Sequence, residues 1–222
     1  MQILYNISIL ILAYLIGSIP TSVWIGRRFF NIDIRDHGSK NAGSTNAIRY
    51  LGWKAGLTVL SFDIFKGWLA VNLIHLTNYY IPETGNFIEF QLLLGIAAIL
   101  GHIFPLYVGF RGGKGVATLF GLMLAINPEP TLICTGIFLV TLILTKYVSL
   151  SSMIAGFSFP VMVIFVFKTT TTSLVIFSLI IAVLLLFTHQ KNLERLLRKE
   201  ERKAIFLMSK KRREVEKMKQ SA

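Results

Sequence analysis

Five stretches of the chain run for 8 to 15 residues without a charged side chain. They are Ile9–Ile16, Leu92–Leu100, Leu132–Leu144, Met153–Phe167 and Leu174–Phe187. In lipid every backbone polar group must be paired within the chain, which a helix achieves and an open strand does not. Only 15% of the residues are charged and the mean hydropathy is +0.63, whereas soluble domains carry roughly 25% charged residues. The sequence therefore predicts an all-α, polytopic integral membrane protein.

The number and limits of the spans follow from these runs and the breaks between them. A helix needs about 20 residues to cross upright, and shorter or broken helices are tolerated beside other protein. The sequence then predicts about seven transmembrane helices, at residues 3–25, 53–75, 88–108, 115–128, 131–147, 152–168 and 172–190. The run Asn127-Pro128-Glu129-Pro130 predicts a tight turn. Five spans remain an alternative if the 115–128 helix and a neighbour do not cross.

Basic residues fall almost entirely on one side of this seven-span arrangement. That side receives 21 of the 23 lysines and arginines, all except Lys66 and Lys168. Because positive charge is retained in the cytoplasm, the distribution predicts an N-terminus outside and a C-terminus inside. The net charge of +12 is then explained by topology and by attraction to anionic lipid, and it does not indicate nucleic acid binding.

The predicted domain organisation is one transmembrane domain over residues 1–190 and a basic cytoplasmic tail over residues 191–222. The tail holds 12 basic residues, interleaved with apolar ones from Leu193 to Met208. One interpretation is a helix lying on anionic membrane headgroups. The other is a solvated extension that only enforces topology.

The predicted arrangement of the spans places three polar clusters on the cytoplasmic side. The first runs from Asp33 to Asn46 and is followed by Arg49. Its small residues let the backbone turn and point N–H groups at an anion, and a guanidinium suits phosphate geometry. The alternative is a structural turn. The donors gathered beside Arg49 favour an anion site.

The second cluster runs from Gly101 through Arg111, Gly112, Gly113 and Lys114 to Gly115. A glycine loop that leads into a helix N-terminus can bind an anion. The spacing is not that of a nucleoside triphosphate loop, because Gly115 stands where that motif has a magnesium-binding hydroxyl. A flexible interfacial turn is the alternative.

The third cluster is split between residues 146–152 and residues 189–192. It contains Ser149, Ser152, His189 and Asn192. His189 and Asn192 are three residues apart, so on a helix they share a face. The four histidines share no motif for a metal site, and none is predicted.

Together these clusters resemble the three signatures of the bacterial acyl-phosphate:glycerol-3-phosphate acyltransferases, in order and over nearly the whole chain. The first is Gly17 to Ser22 with Asp33 to Asn46, the second Gly101 to Thr118, and the third Tyr147 to Ser152 with His189 and Asn192. Lys40 and Lys199 stand where the family often has glycine. Ser44 replaces the usual alanine, and Lys191 replaces a common glutamate.

The resemblance implies a cytoplasm-facing, inner-membrane enzyme with seven helices and no cofactor. The implied reaction transfers a fatty acyl group from acyl phosphate to the 1-position of glycerol 3-phosphate. The products are lysophosphatidic acid and phosphate, in the first committed step of bacterial phospholipid synthesis.

The family's functional positions carry over to specific residues of this sequence. The catalytic set is Ser39, Arg49, Lys114, His189 and Asn192. The substrate-binding set is Asn41, Gly43, Asn46, Arg111, Gly112, Gly113, Gly115, Ser149 and Ser152. We expect Ser39, Arg49, His189 and Asn192 to hold glycerol 3-phosphate, and Lys114 with the adjoining glycine backbone to hold acyl phosphate. The general base is either His189 or, as we favour, an oxygen of the donor's own phosphate.

Three other functions stay open at this stage. His189 with Glu194 forms a loose His-x4-acid pattern, as in acyl-CoA-dependent acyltransferases. A phosphate-metabolite transporter would use Asp63 and Lys66 inside the second span, although we expect these two to form a buried structural pair. A membrane scaffold without activity is the third.

Overall fold

The computed structural model describes residues 2–77, 79–82 and 84–204, and within them every regular element is helical. The α-helices are α1 (Gln2–Gly17), α2 (Thr21–Phe30), α3 (Ser44–Tyr50), α4 (Trp53–Asn72), α5 (Gly85–Ile103), α6 (Val116–Ile126), α7 (Pro128–Thr145), α8 (Val148–Val161) and α9 (Thr172–Leu197). Short 3₁₀ turns lie at Ile34–Asp36, Leu73–Leu76 and Leu106–Val108, and a π-helical turn at Met162–Val166 extends α8. The all-α prediction is confirmed.

Helix length and hydropathy support five or six of the seven expected spans. Five segments of the described chain are long and apolar enough to cross a membrane: Trp53–Leu76, Gly85–Val108, Pro128–Thr145, Val148–Val166 and Thr172–Leu197. A sixth results if α1 and α2, bent by 42° relative to each other, form one span. The bend follows from Pro20, which has no N–H to donate and disfavours helical backbone at the preceding residue. Helix α6 has only 11 residues, so the seventh crossing is not established.

The proline-rich turn is shorter than predicted. The helical backbone is interrupted only at Asn127, and α7 begins at Pro128. Proline is compatible with the first turn of a helix, where its missing N–H would have had no intrahelical acceptor. The prediction of a turn through residue 130 was wrong for this reason.

The chain divides into two compact units, and the first contains residues up to Thr131 together with Thr171–Leu174. In it α1 packs on α5, and α4 packs on both α3 and α6. The α4–α6 contact depends on glycine: a Cβ at Gly67 would overlap the carbonyl oxygen of Thr118, and one at Gly121 would overlap that of Ile64. Small residues let helix backbones approach closely in membrane proteins.

The first polar loop of this unit rests on an apolar cluster. The cluster consists of Val23, Ile34, Ala42, Ala47, Leu51 and Val59. Because these side chains come from α2, the loop, α3 and α4, the loop is anchored to three helices. Its polar side chains are thereby held at the end of the helices.

The second unit contains Leu132–Thr170 and the chain from Val175 onward. Helix α9 extends to Leu197, seven residues beyond the predicted span. The backbone then turns, with Lys199 at φ +61°, and the N–H of Ala204 donates to the carbonyl oxygen of Lys146 at 2.7 Å. Residues 198–204 are not helical, and they pass from exposed at 198–200 to buried at Ala204. The start of the tail is thus partly packed against the fold. Residues 205–222 lie outside the described part.

We expect Gly121→Ala to destabilise the protein by about 1–3 kcal/mol, because the new methyl group must displace helix backbone. Thermal unfolding of the purified protein in detergent measures the effect. Gly136→Ala is the matched control, since a Cβ there would meet no described atom within 4 Å. Equal melting temperatures for the two variants would contradict the close α4–α6 contact.

Candidate functional site

The first polar loop is held in shape by the side chain of Asn46, which is 1% exposed. Its amide nitrogen lies 3.0 Å from the carbonyl oxygen of Ile34, 2.9 Å from that of His37 and 3.2 Å from that of Asn41. Its amide oxygen accepts from the backbone N–H of Ser39 at 3.2 Å. The side chain therefore fixes the backbone at Ser39 and Asn41, two of the predicted site residues.

Lys40 departs from the resembled family in this loop, and the backbone explains the family's preference. Its φ is +57°, in the left-handed region that glycine adopts without steric cost. Lys199, in the turn after α9, has the same left-handed backbone conformation, with φ +61°. At both positions the chain keeps the turn although it lacks the usual glycine.

Arg35 connects the first polar loop to the second. Its guanidinium bonds to the carboxylate of Asp33 at 2.7 Å and donates to the carbonyl oxygens of Val108 at 2.7 Å and Arg111 at 3.2 Å. The hydrogen bond to Arg35 holds the pKa of Asp33 far below its usual value, and the same bond raises the pKa of Arg35. Both groups therefore stay ionised at neutral pH, and Asp33 continues to orient the guanidinium that bonds to the second loop.

The second polar loop folds back onto the end of α5. The N–H groups of Gly112 and Gly113 donate to the carbonyl oxygens of Ile103 at 3.0 Å and His102 at 3.1 Å. A Cβ at Gly113 would meet His102 Nε2 and the carbonyl oxygen of Ala42 in the first loop. Glycine is required here because the two loops and the histidine approach closely.

Lys114 lies where this loop enters α6. Gly115, with φ +80°, precedes the first turn of α6, whose leading N–H groups have no intrahelical acceptors. The N–H groups of Gly112 and Gly113 already donate to carbonyl oxygens of α5. An anion at this place would therefore bind to the N–H groups at the start of α6 and to Lys114.

A buried ion pair lies below the loops, between α4 and the segment that joins α1 to α2. Lys66 Nζ is 2.8 Å from Asp63 Oδ1 and donates to the carbonyl oxygen of Ile19 at 2.9 Å. Thr21 donates to the same carboxylate oxygen at 3.3 Å. Asp63 and Lys66 are 2% and 4% exposed. The expected buried pair is formed.

The pair also lines a small pocket of the first unit, with room for about one water-sized atom. Its walls come from the α1–α2 segment, both polar loops, α4 and α5: Ile19, Pro20, Thr21, Ala42, Asp63, Lys66, His102, Pro105, Gly112 and Gly113. The two sequence-predicted loops therefore meet at one place. Sequence reasoning had placed His102 in the second cluster without a role, and it had not connected Asp63 or Lys66 with the loops.

The third cluster lies in the second unit and is organised by Glu201. One carboxylate oxygen of Glu201 accepts from Ser149 Oγ and from Asn192 Nδ2, each at 2.7 Å. The other accepts from Arg195 Nε at 2.8 Å. Ser152 instead donates to the carbonyl oxygen of Val148 at 2.9 Å. Of the two predicted serines, Ser149 is thus the one bonded to the Asn192 cluster.

His189 and Asn192 both lie on α9, which continues beyond the predicted end of the span at residue 190, and they are 2% and 7% exposed. His189 Nδ1 is 2.9 Å from the carbonyl oxygen of Leu185 and 3.3 Å from Thr188 Oγ1. A carbonyl oxygen can only accept, so Nδ1 carries the hydrogen and Nε2 of the neutral ring is an acceptor. This tautomer suits an imidazole that receives a hydrogen bond from a hydroxyl group.

Sequence reasoning missed Glu201 and the partners of Arg35. Glu201 lay in a tail that its basic residues had assigned to lipid or solvent. Its nine-residue separation from Asn192 reflects the turn after α9, which no local pattern encodes. Arg35 was noticed as part of a motif, but its partners Val108 and Arg111 contribute carbonyl groups, which any residue type supplies.

The charge of Glu201 gives a stability prediction. Burial raises the pKa of its carboxyl, but the hydrogen bonds from Arg195, Ser149 and Asn192 outweigh burial and leave the pKa below its usual value of 4.5. A carboxyl whose pKa is lowered by folding stabilises the fold at neutral pH, and this stabilisation is lost as the pH falls through and below that value.

We therefore expect Glu201→Gln to lower the free energy of unfolding by about 1.5–3 kcal/mol at pH 7, and by progressively less below pH 4.5. Melting temperatures of wild type and variant across pH 4–8 measure this. Glu194→Gln is the control, because its ion pair with Arg198 is well exposed and contributes little. A pH-independent difference for Glu201→Gln would contradict the role of the charge.

Comparison with known proteins agrees with the resemblance seen in the motifs. The chain matches the family model described as glycerol-3-phosphate acyltransferase over residues 7–199. The glycerol-3-phosphate acyltransferase of Chlorobium phaeobacteroides (strain BS1) is 48% identical over 164 residues, which cover 71% of this chain and 68% of that protein. The one from Chlorobaculum tepidum is 43% identical over 164 residues, with 71% and 69% covered.

Two crystal structures of PlsY (YgiH), an integral membrane glycerol 3-phosphate acyltransferase, have a similar fold. The glycerol 3-phosphate form has a TM-score of 0.79 at 31% identity, and the lysophosphatidic acid form 0.76 at 30%. Each comparison covers 90% of this chain and 95% of the PlsY chain. On the family match, the identity to these relatives and the shared integral membrane fold, the chain belongs to the glycerol-3-phosphate acyltransferase family.

Proposed function

We propose that the chain transfers a fatty acyl group from acyl phosphate to the 1-hydroxyl of glycerol 3-phosphate, releasing lysophosphatidic acid and phosphate. Family membership supports the acyltransfer. The PlsY structures were obtained in glycerol 3-phosphate and lysophosphatidic acid forms, which supports the acceptor and the product. The acyl-phosphate donor rests on the motif resemblance.

The observation that carries the proposal is the meeting of two glycine-rich polar loops in the first unit. Arg35 joins them through Val108 and Arg111, and Ala42 lies against Gly113. A reaction between two phosphate-bearing substrates requires two anions to be held side by side. The loops offer Arg49 and Lys114 for that purpose, with the start of α6 as a further source of N–H donors.

In this proposal, which here follows the motif resemblance, Ser39, Arg49, His189 and Asn192 hold glycerol 3-phosphate, and Asn41, Gly43, Asn46 and Ser149 are further substrate-binding residues. Lys114 and the start of α6 hold the acyl-phosphate head, assisted by Arg111 and Gly115, while Gly112 and Gly113, whose N–H groups bond to α5, shape the loop and do not donate to the anion as the sequence had predicted. Asn46 acts through the loop backbone that it bonds. Ser152 of α8 is a further proposed substrate-binding residue.

Acyl phosphate is a mixed anhydride, so the reaction depends on positioning and charge stabilisation more than on a strong nucleophile. The hydroxyl oxygen of glycerol 3-phosphate bonds to the acyl carbon, the bond from that carbon to the phosphate oxygen breaks, and phosphate leaves. The hydroxyl proton passes to an oxygen of the leaving phosphate. His189 accepts a hydrogen bond from the hydroxyl through Nε2 and orients it.

We also propose the orientation predicted from charge, with the N-terminus outside, the C-terminus in the cytoplasm and the site facing the cytoplasm of a bacterial inner membrane. Seven crossings result if the bent α1–α2 pair counts as one and the short α6 as another. The basic tail from residue 191 adds attraction to anionic lipid headgroups.

Purified protein in detergent with palmitoyl phosphate and glycerol 3-phosphate tests the reaction directly. We expect lysophosphatidic acid to form, and Arg49→Ala to reduce the rate by about 100-fold or more, because a charged contact to phosphate is lost. Arg28→Ala is the matched control, since Arg28 is exposed at the end of α2. Absence of product from folded wild-type protein would refute the proposal, and turnover with acyl-CoA alone would refute the donor.

The role of His189 gives a second test. We expect His189→Asn to raise KM for glycerol 3-phosphate about tenfold or more, because asparagine lacks an atom at the Nε2 position and the hydrogen bond to the hydroxyl is lost. Because the phosphate accepts the proton, kcat should fall by less than the 10²–10⁴-fold typical of a lost general base. Steady-state kinetics over pH 6–9 measures both constants. A larger loss of kcat would assign the base to His189, whereas an unchanged KM would remove His189 from the acceptor site.

A further inference from the structure

His102 lines the pocket, and one of its ring nitrogens has a hydrogen-bond partner while the other lies against Gly113, which also lines the pocket. Nδ1 lies 3.1 Å from Thr118 Oγ1 and 3.8 Å from Asp63 Oδ1, which is beyond hydrogen-bond length. Nε2 lies against Gly113, where a Cβ would contact it. Within residues 2–77, 79–82 and 84–204 no group hydrogen-bonds to Nε2, although His102 is only 7% exposed.

The hydroxyl of Thr118 decides which nitrogen carries the hydrogen. Thr118 is fully buried, and its side chain has no other hydrogen-bond partner among the described residues. A hydroxyl has one hydrogen to donate, and leaving it unmet in the interior costs about 1–3 kcal/mol. Donation to Nδ1 meets this need and places the ring hydrogen on Nε2. The imidazole therefore presents an N–H donor to the pocket.

Lys66 supplies a second donor to the same space. Its ammonium group has three hydrogens, and the described residues offer two acceptors, Asp63 Oδ1 at 2.8 Å and the carbonyl oxygen of Ile19 at 2.9 Å. Lys66 and His102 both line the pocket. Asp63 offsets the charge of Lys66, so the pocket offers donors without a large desolvation cost for an unpaired cation.

We propose that this pocket is an oxygen subsite, in which His102 Nε2 and Lys66 Nζ together bind one phosphoryl oxygen of a phosphate-bearing substrate. The pocket has room for about one such atom and lies where the two polar loops meet. The bound substrate is either glycerol 3-phosphate or acyl phosphate, and the subsite thus rests on the proposed function. It gives the Asp63–Lys66 pair a role beyond stabilising the packing of α4.

The two isosteric replacements of histidine separate this role from a structural one. Asparagine reproduces the position of Nδ1 and loses Nε2, whereas glutamine reproduces Nε2. We expect His102→Asn to raise KM for one of the two phosphate substrates about ten- to a hundredfold, as for a lost hydrogen bond to a charged oxygen. Its kcat and melting temperature should change little. His102→Gln should restore KM to within about threefold of wild type.

Separate titrations of palmitoyl phosphate and glycerol 3-phosphate identify which substrate provides the oxygen, because only that KM moves. His75→Asn is the matched control, since His75 is exposed in the turn after α4. If His102→Asn fails to fold, Thr118→Val replaces it. This variant keeps the imidazole but removes the hydroxyl that fixes which ring nitrogen carries the hydrogen. It should raise the same KM about two- to tenfold.

The outcomes that overturn the subsite are distinct from those that overturn the reaction. Wild-type protein that yields no lysophosphatidic acid contradicts the proposed function. Normal wild-type turnover, with both KM values unchanged in His102→Asn and Thr118→Val, contradicts the subsite alone and assigns the pocket to a structural water. Equal losses of melting temperature in His102→Asn and His102→Gln, without a shift in KM, assign His102 to packing.

Discussion

Arg35 lies between the two polar loops of the first unit, and its guanidinium bonds to both. Asp33 binds one side of the group and fixes its orientation, while the other side donates to the carbonyl oxygens of Val108 and Arg111. A guanidinium can make this connection because it carries five donors in a rigid plane. Without it, the loop that contains Ser39 and the loop that contains Lys114 would lack their charged link. The geometry of the candidate site in this unit depends on that link.

The close approach of the helices below makes the link possible. Gly67 and Gly121 bring α4 and α6 into backbone contact, and Gly17 and Gly101 do the same for α1 and α5. Lipid gives little hydrophobic driving force between helices, so such packing depends on van der Waals contact between small residues. Because the helices lie so close together, the Asp63–Lys66 pair on α4 is almost completely buried. Those charges tolerate burial because each is bonded to the other and to neighbouring polar groups.

The second unit uses one carboxylate for a similar purpose. Glu201 returns towards α8 and α9 after the turn at Lys199 and accepts hydrogen bonds from Ser149, Asn192 and Arg195. Asn192 is thereby held by a charged acceptor, which makes shorter and stronger hydrogen bonds than a neutral one. The first residues of the basic tail are part of the folded structure for this reason.

The sequence by itself determined the helical membrane fold and the family, because uncharged runs leave the backbone no alternative to helix in lipid and the three motifs occur in a specific order. It also placed Asp63 and Lys66 as a buried pair, since two opposite charges three residues apart on an apolar helix have few other partners. Only the tertiary structure decided the carbonyl partners of Arg35, the return of Glu201 and the meeting of the loops at His102. Each of these depends on backbone groups or distant turns, and backbone carbonyls are the same in every residue type.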